Sequence, residues 1–340
     1  MGVLGGKPSS FRIVMESPEI IPPRHCMIHN HAHPIFSTRD GINSPQTDWG
    51  EHMELFVITL TTGLCVGIIY GLVGLSFTAI FNVSKVINFS QGSLAMLGAF
   101  VGHLLVFNAK VPLPLGIVLC MAIPAICGMG VNQFFAEPLL KRHVSEVTIF
   151  LATLAGALII EGLIGGYTSF AYFKTKLVFG KEPITLGMVM ISRQYVAIII
   201  AAAVLCSGYW FLLNKTKIGL GIKATGIDPD MASLAGIRLS RIRMVAWIVS
   251  AGITGVAGFL VAPLIYATPL MGLPTVVDGF IAAIVGGFGN PLAAMLGGVI
   301  LGLLRQFFTG YVSAGLGDLF VFIALLITLA FRPHGIIRVR

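Results

Sequence analysis

Four stretches of this chain hold side chains with chemistry to offer inside otherwise apolar surroundings. The barest is Glu161, a lone acid within LAGALIIEGLIGG. An ionisable group at membrane depth costs about 2.5 kcal/mol or more and as a rule faces a bundle interior. Glu161 therefore either lines a polar pathway or bonds a neighbouring helix near the outer interface. The second stretch runs Gly226-Ile-Asp-Pro-Asp-Met-Ala-Ser-Leu-Ala-Gly236. Asp228 suits an N-cap, Pro229 the first helical position, Asp230 the positive end of the helix dipole, and Gly236 a left-handed stop. The spacing predicts a helix of about two turns that presents Met231, Leu234 and Ala235. Such a helix, ringed by basic residues, needs either a groove on a partner or a lipid surface on which to anchor its loop.

The third stretch, Asn82-Val-Ser-Lys-Val-Ile-Asn-Phe-Ser-Gln-Gly-Ser93, is a polar interruption between two apolar segments. Non-helical backbone at membrane depth survives only inside protein or beside a water-filled cavity. Asn82, Asn88 and Gln91 are thus candidates to line a pathway, while Lys85 favours the plainer reading of a turn at the membrane surface. The fourth, Asp278-Gly-Phe-Ile-Ala-Ala-Ile-Val-Gly-Gly-Phe-Gly-Asn-Pro291, ends in Gly286, Gly287, Gly289 and Asn290. Those residues permit a kink or tight backbone approach, and Pro291 restarts a helix. The same glycines would also serve plain helix packing, as would Gly67-x-x-x-Gly71, Gly298-x-x-x-Gly302 and the series Gly252, Gly255, Gly258. Arg305 and Asp318 flank the stretch around Tyr311 and read as interfacial.

Catalytic signatures are missing. No phosphate-binding G-x-x-x-x-G-K-[ST], HExxH, Cys/His cluster or G-x-S-x-G occurs, and Gly219-Leu-Gly221-Ile-Lys223 has the wrong spacing for a phosphate cradle. No cofactor or metal is implied. Cys26, Cys65, Cys120, Cys127 and Cys206 form no CxxC, and four of them lie in apolar runs, where they read as small buried hydrophobes.

The elements that must position these residues follow from composition. The 340-residue chain is 56% apolar and 11% charged, against about 25% charged in soluble domains. So little charge cannot cover a water-facing surface, and lipid must be the main solvent. The net charge of +8 is spread over short loops and is not a nucleic-acid footprint. A span needs about 20 apolar residues. The pattern predicts an all-α, polytopic helical bundle of about eight transmembrane spans near 55–81, 92–108, 113–133, 147–166, 193–213, 244–267, 276–309 and 317–331. The 276–309 stretch, broken at Gly289-Asn290-Pro291, is either two short passes or one helix preceded by a re-entrant piece. Lys141 and Arg142, six basic residues in the 214–243 loop (Lys215, Lys217, Lys223, Arg238, Arg241, Arg243) and Arg332, Arg338 and Arg340 mark the cytoplasmic side. The loops at 109–112 and 167–193 hold Lys110, Lys174, Lys176, Lys181 and Arg193 and should face outward.

Residues 1–52 stand apart. They are polar, hold five of the eight histidines and show no period or signal-peptide pattern. His29, His31 and His33 alternate as in a metal-binding tail. Without a folded frame they read instead as part of a disordered extension, or of a reading frame opened too early, since Met53 begins MELFVITL just before the first span. Residues 53–340 then form the transmembrane domain, with 214–243 as its cytoplasmic loop.

Taken together, GLVGLSFTAIFNVSKVINFSQGSLAMLGAF (71–100), GIKATGIDPDMASLAGIRLSRIR (221–243) and FIAAIVGGFGNPLAAMLGGVILGLLRQF (280–307) resemble the permeases of branched-chain amino acid ABC transporters, in the shorter of that family's two types. The resemblance covers about Met53 to Pro333. It implies a non-catalytic subunit of the bacterial or archaeal inner membrane that pairs with a second permease and two cytoplasmic ATPases. A periplasmic or lipid-anchored binding protein would deliver a branched-chain amino acid, or in relatives urea, a short amide or an aromatic acid. It places a coupling helix at Pro229–Ala235 and implies alternating access driven by the ATPases. Two other readings stand beside it. A stand-alone secondary transporter or channel would need ion-coupling charges or an inverted repeat, and neither is evident. A membrane-embedded enzyme would need a partner for Glu161.

Overall fold

The computed structural model describes residues 46–142, 144–175, 184–186, 189–313, 315–332 and 335–336. Cys26, the alternating His29, His31 and His33, and with them the reading of residues 1–45, lie outside the described residues, as do Lys176, Lys181, Arg338 and Arg340. Twelve α-helices are found among those described: α1 Gln46–Ser84, α2 Gln91–Gly102, α3 Leu113–Val131, α4 Glu137–Lys141, α5 Glu146–Thr168, α6 Arg193–Lys215, α7 Lys217–Ile227, α8 Pro229–Leu234, α9 Leu239–Ile265, α10 Gly272–Gly286, α11 Pro291–Tyr311 and α12 Gly317–Phe331. Seven helical stretches are long and apolar enough to cross a bilayer, and Gln91–Val106 and Gly317–Phe331 are shorter apolar helices. This fits the predicted bundle of about eight spans.

The predicted 276–309 segment resolves into α10 and α11. Gly287 and Gly289 at φ 126° and 119° turn the chain, and the Asn290 side chain caps α11 by accepting from Leu292 N (3.1 Å) and Ala293 N (3.4 Å). L-residues resist such positive φ values, which is why glycine stands there. α10 also begins earlier than the sequence suggested, at Gly272, after a single 3₁₀ turn at Pro269–Met271. Outside the bundle, Ile184–Leu186 pairs antiparallel with Val189–Ile191.

Small residues decide how the helices pack. α1 lies along α11, and the two GxxxG spacings meet each other. A Cβ added at Gly67 would stand 2.8 Å from Gly298 O and Val299 Cα, and one at Gly298 or Gly302 would enter the α1 backbone. Without a hydrophobic drive between helices in lipid, such backbone approach supplies dispersion contacts that larger side chains would forbid. α9 is held the same way between α2 and α3, with Gly255 against Gly98, Cys120 and Pro124, and Gly258 against Ala95. α1, α9 and α10 are therefore central. α5 and α6 turn large apolar side chains outward, among them Leu163 at 70% and Val204 at 65% exposure, as lipid-facing helices do.

Candidate functional site

α1 ends at Ser84, but α2 does not begin at the same level. Residues 85–90 run back beside the last turns of α1 without helical bonds, and the Phe89 ring packs against Phe77 (6.2 Å), Phe150 (4.8 Å) and Phe280 (6.0 Å). Phe77 lies seven residues before Ser84, so this stretch climbs roughly 10 Å back into the bundle. Residues 85–90 thus pack back against the bundle beside α1. Their backbone is satisfied locally. Asn88 Oδ1 accepts from Ser90 N (3.0 Å) and Ser90 Oγ (2.7 Å), Thr153 Oγ1 accepts from Phe89 N (3.4 Å), and Ser90 O accepts from Leu94 N (3.0 Å).

Other groups at the same break are left open. Asn88 and Gln91 are fully buried, yet Asn88 Nδ2 and both Gln91 amide atoms have no partner. α2 runs parallel to α9, since Gly98 meets Gly255 and Gly102 meets Phe259. Gly258 in turn meets the Ala95 backbone. The buried Thr254 hydroxyl is also unpartnered.

Glu161 reaches the same region from α5. It is half-buried, on the bundle-facing stripe with Thr153, Ala157 and Gly165. Its Oε1 lies closest to the spot a Cβ would occupy on Gly272, the first residue of α10, and the Gly92 backbone borders that same spot at 3.2 Å. Glu161 therefore stands where the N-terminal ends of α2 and α10 meet, a place where backbone N–H groups favour negative charge. Glu161 thus meets the end of α2 that begins at Gln91, whereas Asn88 lies beside Phe89, which bonds Thr153 about two turns earlier on α5. Gly286, Gly287, Gly289 and Asn290 lie elsewhere, at the α10–α11 turn, and are joined to α1 by Asn82, whose Nδ2 donates to Gly289 O (2.8 Å).

Two groups of paired charges are found among the described residues of the helices. Arg305 on α11 donates to Asp278 Oδ2 (2.8 Å) and to the Tyr70 hydroxyl, and forms an ion pair with Asp318. Sequence reading had Arg305 and Asp318 as separate interfacial residues. What ties them is the lateral contact of α1, α10, α11 and α12. Glu137 and Arg243 make a second, two-pronged pair (2.9 and 2.8 Å) between α4 and α9.

At the end of the bundle that carries the 214–243 loop, α8 stands out as a small knob. Asp228 Oδ1 accepts from Asp230 N (2.9 Å) and Met231 N (3.0 Å), Pro229 takes the first position, and Gly236 (φ 86°) ends the turn as Ile237 N bonds Ala232 O (3.0 Å). Ala232 is buried, whereas Met231 is 65% and Leu234 81% exposed, and Ala235 is exposed too. Ile227, at 87% exposure, extends this apolar surface onto α7, an addition the sequence reading had passed over because it looked only inside the capped helix.

The family model described as "Branched-chain amino acid transport system / permease component" matches residues 59–329. The chain belongs to that family. It is 30% identical over 305 residues to the probable branched-chain amino acid transport permease protein LivH of Methanocaldococcus jannaschii, a match covering 85% of this chain and 93% of the relative. The permease protein BraD of the high-affinity branched-chain amino acid transport system of Pseudomonas aeruginosa is 24% identical, covering 82% of this chain and 94% of BraD. LivH of the corresponding Escherichia coli K12 system is 22% identical, covering 84% and 97%. Among the described residues, buried amide atoms without a partner occur at this break, on Asn88 and Gln91, and also elsewhere, on Asn132 and Gln194. Among the described residues no three His, Cys, Asp or Glu side chains group as metal ligands would.

Proposed function

We propose that this chain is the translocation subunit of an ABC importer for branched-chain or related amino acids in the inner membrane. It works with a second permease, two cytoplasmic ATPases that hydrolyse the ATP, and a periplasmic or lipid-anchored binding protein. The observation that carries this reading is α8: a capped helix, fixed at both ends, that holds Met231 and Leu234 out into water beside the basic 214–243 loop. Burying such a side chain is worth about 1.5–3 kcal/mol, so two of them in a partner's groove give a firm foothold. Residues Asp228 to Gly236 form the docking element, and family membership supports an ATPase as the occupant. On this reading residues 1–52 are an extension to the transmembrane domain 53–340.

The route for the substrate passes the break between α1 and α2. Asn88, Gln91 and Glu161 offer donors and acceptors there, and Asn82, Gly286, Gly287, Gly289 and Asn290 form the turn that moves with it. ATP binding closes the ATPases, shifts α8, and changes which side of the membrane the break faces. Nucleotide drives this only through unequal affinity for the two states. The test is the double variant Met231→Asp with Leu234→Asp in the reconstituted importer. Membrane insertion is expected to persist while substrate-stimulated ATP hydrolysis is lost. Normal coupled uptake by that variant would refute the assignment.

A further inference from the structure

The end of α1 joins three parts of the molecule that the sequence keeps far apart. Lys85 sits in the left-handed region (φ 53°), where a side chain with a Cβ is strained, at the point where the chain leaves α1 and doubles back. Its backbone N–H still closes the last turn of α1 on Phe81 O (2.8 Å), so α1 keeps its helical end while the chain reverses at Lys85. Its Nζ donates to Gly226 O (3.0 Å) in the last turn of α7, where a cation meets free carbonyls. Gly226 lies two residues before the Asp228 cap of α8, and a Cβ there would stand 3.1 Å from Asn82 O. Asn82 in turn donates to Gly289 O at the α10–α11 turn (2.8 Å), and Phe81 packs edge-on against Phe288 (4.5 Å). Beyond Lys85 the non-helical stretch carries Asn88 and leads into Gln91, the first residue of α2.

We propose that Asn82 and Lys85 are positioning residues of the transport cycle: they tie the entry to α8 to the intramembrane stretch 85–90 and to the α10–α11 turn, so that a displacement of α8 moves Asn88 and Gln91. The proposal rests on the reading of α8 as the ATPase docking point. Few bonds separate the two ends. Gly226 is bound directly to Lys85, and Lys85 is three residues from Asn88. The stretch between moves as a piece, because Val86 is buried against Ile80, Val131 and Trp247 and Phe89 is wedged among three rings. Spatial continuity alone does not establish coupling, so the test measures coupling itself.

The complete importer, with its ATPases and binding protein, is reconstituted in liposomes with Lys85→Met, Lys85→Arg or Asn82→Ala, and ATP hydrolysis, amino acid uptake and ATPase co-purification are read together. Lys85→Met and Asn82→Ala are expected to keep the ATPases bound and hydrolysis within about twofold, while amino acid imported per ATP falls about tenfold. Lys85→Arg, which can still donate to Gly226 O, is expected to restore most of the ratio. An unchanged ratio in Lys85→Met overturns the proposal, and so does parallel loss of uptake, hydrolysis and co-purification, which would make Lys85 part of the docking surface. If the wild-type importer shows no substrate-stimulated hydrolysis, the α8 reading itself falls and takes this one with it.

Discussion

Two polar clusters within the membrane-spanning helices differ in one respect: whether their hydrogen-bonding capacity is used up. Around Arg305, every charge has a partner, with Asp278, Asp318 and the Tyr70 hydroxyl drawn from three other helices. Around the α1–α2 break, the Asn88 and Gln91 amides are buried with unmet donors and acceptors, and Glu161 stands at two helix ends. A closed network holds helices together and has nothing left to give. An open one costs stability in the state seen here, and a substrate or water entering the pathway can recover that cost. The first cluster is therefore a fastening, and the second is what we propose as the place of passage.

The sharpest way to break this distinction is Asp278→Ala. It leaves Arg305 with half of its ion pairs in a largely buried site, and thermal unfolding in detergent should show a loss of about 3 kcal/mol. A variant as stable as wild type would deny the cluster its fastening role. Gly298→Leu attacks the same frame by bulk, since its side chain would enter the α1 backbone at Gly71. A loss of about 2 kcal/mol is expected by the same assay, with separation of α1 from α11 read by loss of cross-linking between cysteines placed on them. Gln91→Leu should do the opposite. Replacing an unpartnered buried amide with an apolar group should raise stability by about 1 kcal/mol while substrate uptake falls. Lower stability with full uptake would show that Gln91 is bonded in the working protein and lies off the route. The smallest effect belongs to Asp228→Ala, which removes the α8 cap. It should cost about 1 kcal/mol locally, seen as faster hydrogen exchange at Asp230 and Met231, with global unfolding unchanged and ATPase affinity reduced.

Much of this architecture was legible from residue order. The capped α8 follows from Asp228, Pro229 and Gly236, because capping and turn formation involve only atoms a few residues apart. The division of 276–309 at Gly289-Asn290-Pro291 was visible as a break, for the same reason, though whether it made two passes was not. Less legible were facts of lateral contact. The two GxxxG spacings were each weak signals of packing, and nothing in the sequence said that they pack on each other. Lys85 argued for a surface turn, and nothing in the sequence said that its ammonium would reach Gly226 O. Ile227 fell outside the capped segment, and only its exposure joined it to Met231 and Leu234.

By itself the sequence determined the solvent, the helices and their ends: a chain with 11% charged residues must live in lipid, and in lipid each backbone polar group must be bonded within its own helix or by nearby side chains. Those are local requirements, written in local composition. Which helices touch, and hence which polar groups find partners, was decided only by tertiary structure. Apolar faces bathed in lipid have no hydrophobic preference among neighbours, so pairing is settled by shape, glycine against glycine, across separations such as Gly67 to Gly298. The meeting of Glu161 with Gly92 and Gly272 is owed to that fit.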